Sequence, residues 1–185
     1  MRIADKSIDE FLKDIATKPC TPAGGCIAAL CAASAAALIE MVARHTLKNK
    51  DKSDEVADYM EEVIHIASEA REKFLDFMDI DTQAYKEVID AQKNNDENLE
   101  KYYKNSANIP LEMAKKIFSM IEIIKKTTRD GSEVLVTDGV ASILMAKVTL
   151  KSLIYHIKFN LMYIRDKEFV DEASAEIEIM EAELN

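Results

Sequence analysis

The chain has 185 residues, 48% of them hydrophobic, which suits one domain with a real core and excludes a disordered chain. Its 34 acidic against 24 basic side chains leave a net charge of -10, which argues against non-specific nucleic-acid binding and against an anionic membrane surface as partner. Few glycines and prolines, no tryptophan, and much Ala, Leu, Ile, Met, Glu and Lys point to helices throughout.

In chain order, Ser7-Ile8-Asp9-Glu10 is a capping box that opens a short helix running to about Thr17. A loop from Pro19 to Gly25 ends it. Two of the four glycines, Gly24 and Gly25, stand in Cys20-Thr21-Pro22-Ala23-Gly24-Gly25-Cys26 and mark a turn or a close backbone approach. The helix that follows, from Gly25 to about Leu47, is rich in alanine, and its first N–H groups are open to an anion or a carbonyl. Residues 26–43 are apolar except for Ser34 and Glu40. Alanine drives membrane insertion weakly, so the expectation is a helix buried on all sides by others.

Ser53 is the next N-cap. Val56, Met60, Val63, Ile64, Ala67, Ala70, Phe74, Leu75 and Met78 then recur at helical spacing, predicting a helix to about Phe77. Asp79-Ile80-Asp81-Thr82 reads as an interruption, with Thr82 capping a short helix through Ala91. Lys93–Asn98 reads as a connection, and Leu99–Lys104 as a brief helix. Pro110 fits the first turn of a helix to Lys126. Arg129-Asp130-Gly131-Ser132 is a turn, Val136–Tyr163 a long helix, and Asp166–Ala182 the last one. No segment alternates as a strand does. The expected fold is therefore all-α: a single-domain helical bundle, residues 1–185, around the long Ala-rich helix. Small side chains bury little area each, so a homodimer is the expected source of further burial.

Several residues could carry chemistry. Asp79 and Asp81 lie close enough to separate their acidities into one acid and one base; helix-end caps in water are the alternative. Tyr85 lies one turn beyond Asp81. Asp138, in Thr137-Asp138-Gly139, either complements the dipole of its helix or projects into a pocket. His156 and Asn160 share a helix face, and Lys158 points about 160° away from His156. His45 and His65 read as ordinary helical histidines. Cys20, Cys26 and Cys31 lack histidine partners at zinc spacing, which gives no metal site. Their odd number, with no disulfide framework and no secretory leader, points to a reducing cytoplasmic setting. Walker, dinucleotide and Ser-His-Asp patterns are absent from the sequence.

Taken together, these segments resemble the cyclodeaminase/cyclohydrolase family of folate enzymes. The resemblance spans nearly the whole chain. It rests on Phe11-Leu12, Thr21-Pro22-Ala23-Gly24-Gly25-Cys26 and Glu40-Met41-Val42-Ala43-Arg44-His45-Thr46. It continues through Asp79-Ile80-Asp81-Thr82-Gln83-Ala84-Tyr85, Ile109-Pro110-Leu111, Thr137-Asp138-Gly139-Val140-Ala141 and Ile157-Lys158-Phe159-Asn160-Leu161. The resemblance implies an all-α homodimer that binds a tetrahydrofolate one-carbon derivative as substrate, without metal or redox cofactor. Two related reactions are implied: hydrolysis of 5,10-methenyltetrahydrofolate to 10-formyltetrahydrofolate, and closure of 5-formiminotetrahydrofolate with loss of ammonia.

By the same resemblance, Asp81 and Asp138 would relay protons, with Asp79 and Tyr85 beside them. Thr21, Pro22, Gly24, Gly25 and Cys26 would meet the pterin or the one-carbon unit, Arg44 or Lys158 the glutamate tail, and Asn160 the substrate. The chain departs from the family pattern at Ala23, Cys26, Thr137, His156 and Lys158. Those departures leave a non-catalytic helical dimerisation module as a further reading.

Overall fold

The computed structural model describes residues 2–17, 22–48 and 52–184. Six α-helices run through them: α1 (Ile8–Ile15), α2 (Gly24–Thr46), α3 (Asp54–Asn94), α4 (Leu99–Asp130), α5 (Val136–Leu161) and α6 (Lys167–Leu184). Short 3-10 turns at Ile3–Asp5 and Glu133–Leu135 precede α1 and α5. No strand occurs among the described residues, so the expected all-α architecture is the observed one.

The Ala-rich α2 is the axis of the bundle and packs against α3, α4 and α5. Ala28, Ala29, Ala32, Ala33, Ala35, Ala36 and Ala43 are buried, and their lack of bulk lets the neighbouring helices close around it. Alone, α2 is long and apolar enough to cross a membrane, but in the fold its apolar surface is largely covered by its neighbours. Bulk comes from the surrounding helices: Phe74 and Met60 from α3, Ile117, Ile121 and Ile124 from α4, Leu150, Leu153 and Ile157 from α5.

Two predicted breaks are absent. α3 runs without interruption through Asp79–Thr82, because its buried face (Phe74, Phe77, Met78, Thr82, Ala84 and Val88) continues on the same side. Thr82 caps nothing; its hydroxyl meets the Cys26 thiol at 3.2 Å in the core. The end of α3 falls instead at Asn95, whose left-handed backbone (φ 50°) closes the helix.

α4 likewise unites the two segments predicted on either side of Pro110, which lies buried inside it. Proline has no N–H, so the carbonyl of Ser106, one turn earlier, loses its helical donor. Asn160 of α5 replaces it: its side-chain Nδ2 donates to Ser106 O at 2.8 Å. A helix-breaking residue is thus accommodated by a neighbouring side chain.

Candidate active site

The N-terminus of α2 opens into a cleft of about 320 Å³ between α2, α3, α4 and α5. Ala23, Gly24, Gly25, Asp81, Thr82, Tyr85, Ser106, Tyr155, His156, Phe159 and Asn160 line it. Both glycines have a steric reason. A Cβ on Gly25 would collide with the Asp81 carboxylate, and one on Gly24 would stand 2.8 Å from Cε1 of His156. The Gly24-Gly25 pair therefore lets an acid and an imidazole close on a helix start. Ala23, the N-cap, has no side-chain hydrogen bond to offer there, and among the described residues no side chain caps the first N–H groups of α2.

Asp81 sits here largely buried. Among the described residues it makes no hydrogen bond and no ion pair. Burial alone pushes its carboxyl up to about 6. Burial lowers His156 below the ordinary imidazole value, so its ring is neutral at pH 7. A carboxyl group raised to about 6 beside an imidazole whose proton affinity is lowered by burial places a proton donor and a proton acceptor at one cleft wall. Asn160, held by Ser106, keeps its amide oxygen for a ligand. A second hollow of about 220 Å³, lined by Tyr85, Val88, Gln92, Tyr103, Phe159 and Tyr163 among others, shares a wall with the cleft and lengthens it along α3.

Of the residues proposed from sequence, the cleft gathers Gly24, Gly25, Asp81, Tyr85 and Asn160. Pro22 stands in the preceding turn, and Thr21 lies outside the described residues. Asp79 does not form an acid–base pair with Asp81. Two residues apart on a continuous helix, they point to different sides, and Asp79 accepts the backbone N–H of Ile3 at 3.0 Å. Cys26 is fully buried beneath the cleft, where its thiol donates to Met78 O at 3.2 Å and burial raises its pKa. It shapes the floor and does not line the cleft.

Arg44 lies at the other end of α2, about 28 Å from Gly25 at helical rise, and its guanidinium binds Glu40 at 2.7 Å. Lys158 faces outward to Glu181 of α6 at 2.6 Å. Asp138 sits in the first turn of α5, five turns before His156 and so about 27 Å away along the helix. No contact within one chain brings it to the cleft.

Sequence reasoning left His156, Thr82, Ser106, Tyr155 and Phe159 out of the site. The available signal was the shared face of His156 and Asn160; what it lacked was the ring's approach to Gly24, which depends on tertiary packing. Among the described residues, no three His, Cys, Asp or Glu side chains are grouped to hold a metal ion.

An all-α bundle in which a carboxylate and an imidazole close on a glycine-opened helix start defines the class: a helical core with a small-molecule-sized cleft. Residues 7–179 match the family model described as formiminotransferase-cyclodeaminase, and the chain belongs to that family. It is similar to a methenyltetrahydrofolate cyclohydrolase from Methylorubrum extorquens, 26% identical over 97% of this chain and 90% of that protein. It is also similar to the crystal structure of formiminotetrahydrofolate cyclodeaminase from Thermotoga maritima: 27% identity, TM-score 0.93, 98% of this chain and 91% of the other covered.

Proposed function

We propose that this chain adds water to 5,10-methenyltetrahydrofolate and opens it to 10-formyltetrahydrofolate. The observation that carries the reading is Asp81: a buried carboxylate without a partner, against Gly25, with its pKa raised to about 6. The substrate's one-carbon bridge is a cationic amidinium, and an unpaired buried carboxylate is electrostatically suited to it.

Ionised Asp81 takes a proton from water as the water oxygen bonds to the bridging carbon. The resulting tetrahedral carbon carries a hydroxyl between N5 and N10. The hydroxyl proton leaves to His156 as the carbonyl forms and the carbon–N5 bond breaks; protonated Asp81 returns its proton to N5. One proton is released to solvent from His156. The N–H groups at the start of α2 are placed to hydrogen-bond the oxygen. Neutral His156 serves as an acceptor in this scheme. The Methylorubrum extorquens relative named as a cyclohydrolase supports hydrolysis as the reaction.

Cyclodeamination is the second reading, favoured by the name of the Thermotoga maritima structure. One assay separates the two. Loss of the methenyl absorbance band faster than in buffer supports hydrolysis. Silence there, followed by appearance of the band and ammonia from 5-formiminotetrahydrofolate, supports cyclodeamination. Silence in both overturns the folate reading.

A further inference from the structure

The cleft opens at two ends of opposite character. Toward the C-terminal end of α5 it shares Tyr85, Ser106, Phe159 and Asn160 with the aromatic hollow of about 220 Å³. Toward the middle of α5 it meets, across Tyr155, a groove lined by Lys147 and Lys151. Glu181 also lines that groove, but its carboxylate holds Lys158 at 2.6 Å. Among the described residues neither Lys147 nor Lys151 forms an ion pair.

The aromatic end is built for a flat ligand. The rings of Tyr103 and Tyr163 stack with centroids 5.6 Å apart, and Phe159 meets Tyr163 edge-on at 5.5 Å. Tyr163 is 48% exposed and Phe159 58%, so ring surface remains for a third partner. Gln92 supplies the polar group. Its Nε2 donates to the Tyr103 hydroxyl at 3.0 Å, and its amide oxygen accepts no hydrogen bond among the described residues. Gln92 lies three turns beyond Asp81 on α3, about 16 Å along the axis, and helical side chains lean back toward the N-terminus, over the hollow. Aromatic walls with one amide acceptor suit a planar heterocycle that carries N–H donors.

Charge decides which end of a ligand enters. Past the hollow, Tyr103 and Tyr163 also border a recess lined by Asp96, Glu97 and Glu100, with Arg165 as the one cation in that lining. An anionic tail is repelled there and attracted to the lysines at the opposite end.

We infer that the substrate lies in one direction along this path. Its pterin stacks in the aromatic hollow with its amino and N–H donors toward Gln92. The one-carbon bridge stands between Asp81 and His156, and the glutamate carboxylates leave past Tyr155 toward Lys147 and Lys151. The inference rests on the folate reading for the identity of the ligand, and the assignment of its two ends is additional to that reading. It moves the glutamate tail away from Arg44 and Lys158, whose charges Glu40 and Glu181 hold elsewhere.

The first test uses 5-formyltetrahydrofolate, a stable folate, with protein labelled in its tyrosine rings. Nuclear Overhauser contacts are expected from the Tyr163 ring to the C7 methylene of the pterin, absent in Tyr163→Leu. Contacts from Tyr163 to the benzoyl protons, or none to the pterin, overturn the orientation.

The second test is kinetic, with circular dichroism to check that each variant keeps its helices. Tyr163→Leu and Gln92→Leu raise KM for 5,10-methenyltetrahydrofolate about tenfold with kcat within about threefold, the signature of lost uniform binding. Lys151→Glu raises KM about fivefold, and has no effect on the pteroate analogue that lacks the glutamate. An unchanged KM in Tyr163→Leu, or a Lys151→Glu effect that persists without the glutamate, overturns the inference. Wild type that neither binds nor turns over a folate means that the functional reading has failed. Turnover with the benzoyl ring in the hollow leaves that reading standing and removes the orientation alone.

Discussion

The two ends of α2 treat polar groups in opposite ways. At its C-terminal end Glu40, Thr46 and Lys52 are each paired. Glu40, nearly buried, holds Arg44 at 2.7 Å and Arg71 at 3.3 Å. Thr46 accepts the Ser132 N–H at 2.9 Å and donates to Val42 O at 2.8 Å. Lys52 donates to the carbonyls of Asp130 and Gly131, both at 2.9 Å, and so closes the end of α4 where its dipole favours a cation. At the N-terminal end, Asp81 is largely buried without a partner among the described residues, and Ala23 gives the helix start no side-chain cap. One end spends its polar groups on the fold, and the other holds them in reserve for a ligand. Unpaired buried charge destabilises a protein, and it persists where binding or catalysis needs it.

The largest break in this contrast is Asp81→Asn. Loss of a positioned proton-transfer group costs about 10³-fold in turnover, read from the methenyl band. The same variant gains stability. The folded pKa of Asp81 lies above its unfolded value of 3.8, so the ionised form is penalised in the fold. That penalty is absent below about pH 4, grows as pH rises, and is complete above about 6. Asn carries none of it, so D81N exceeds wild type by about 3 kcal/mol at pH 8 and matches it at pH 3.5, by denaturant unfolding. In wild type, kcat/KM rises through about pH 6 as Asp81 ionises, and D81N loses that limb.

Gly25→Ala is next. Its methyl displaces the Asp81 carboxylate, the end of a side chain, so turnover falls about 10²-fold while the melting temperature moves little. Glu40→Ala gives the mirror image at the paired end. Two arginines lose their acceptor, unfolding free energy drops by about 2 kcal/mol, and kcat stays within about twofold of wild type. The smallest effect is Asn160→Ala, which leaves Ser106 O without a donor and costs about 1 kcal/mol in chemical denaturation.

The helical character, the alanine core of α2 and the membership of Gly24, Gly25, Asp81 and Tyr85 in one cleft were legible in the sequence, because composition, periodicity and a family resemblance all speak to them. The failures share a cause. Asp79-Ile80-Asp81-Thr82 and Pro110 carry the local chemistry of helix ends, yet both lie inside helices, where packing against α2 and a side chain from α5 override local preference. Cys26 and Arg44 have reactive side chains at suggestive positions, but which way a helical residue faces depends on its neighbours. Asp138 and His156 lie five turns apart on α5, and residue type alone does not report which of them reaches the cleft.

Pro110 gives α4 a seam at the level of the cleft. A helix lacking one rung flexes most readily there, and the Asn160 amide is the cross-brace that stiffens it. A ligand that draws on Asn160 therefore alters the rigidity of α4 as it binds. Occupancy of the cleft becomes readable far from any reacting atom, as a change in amide exchange along residues 106–114.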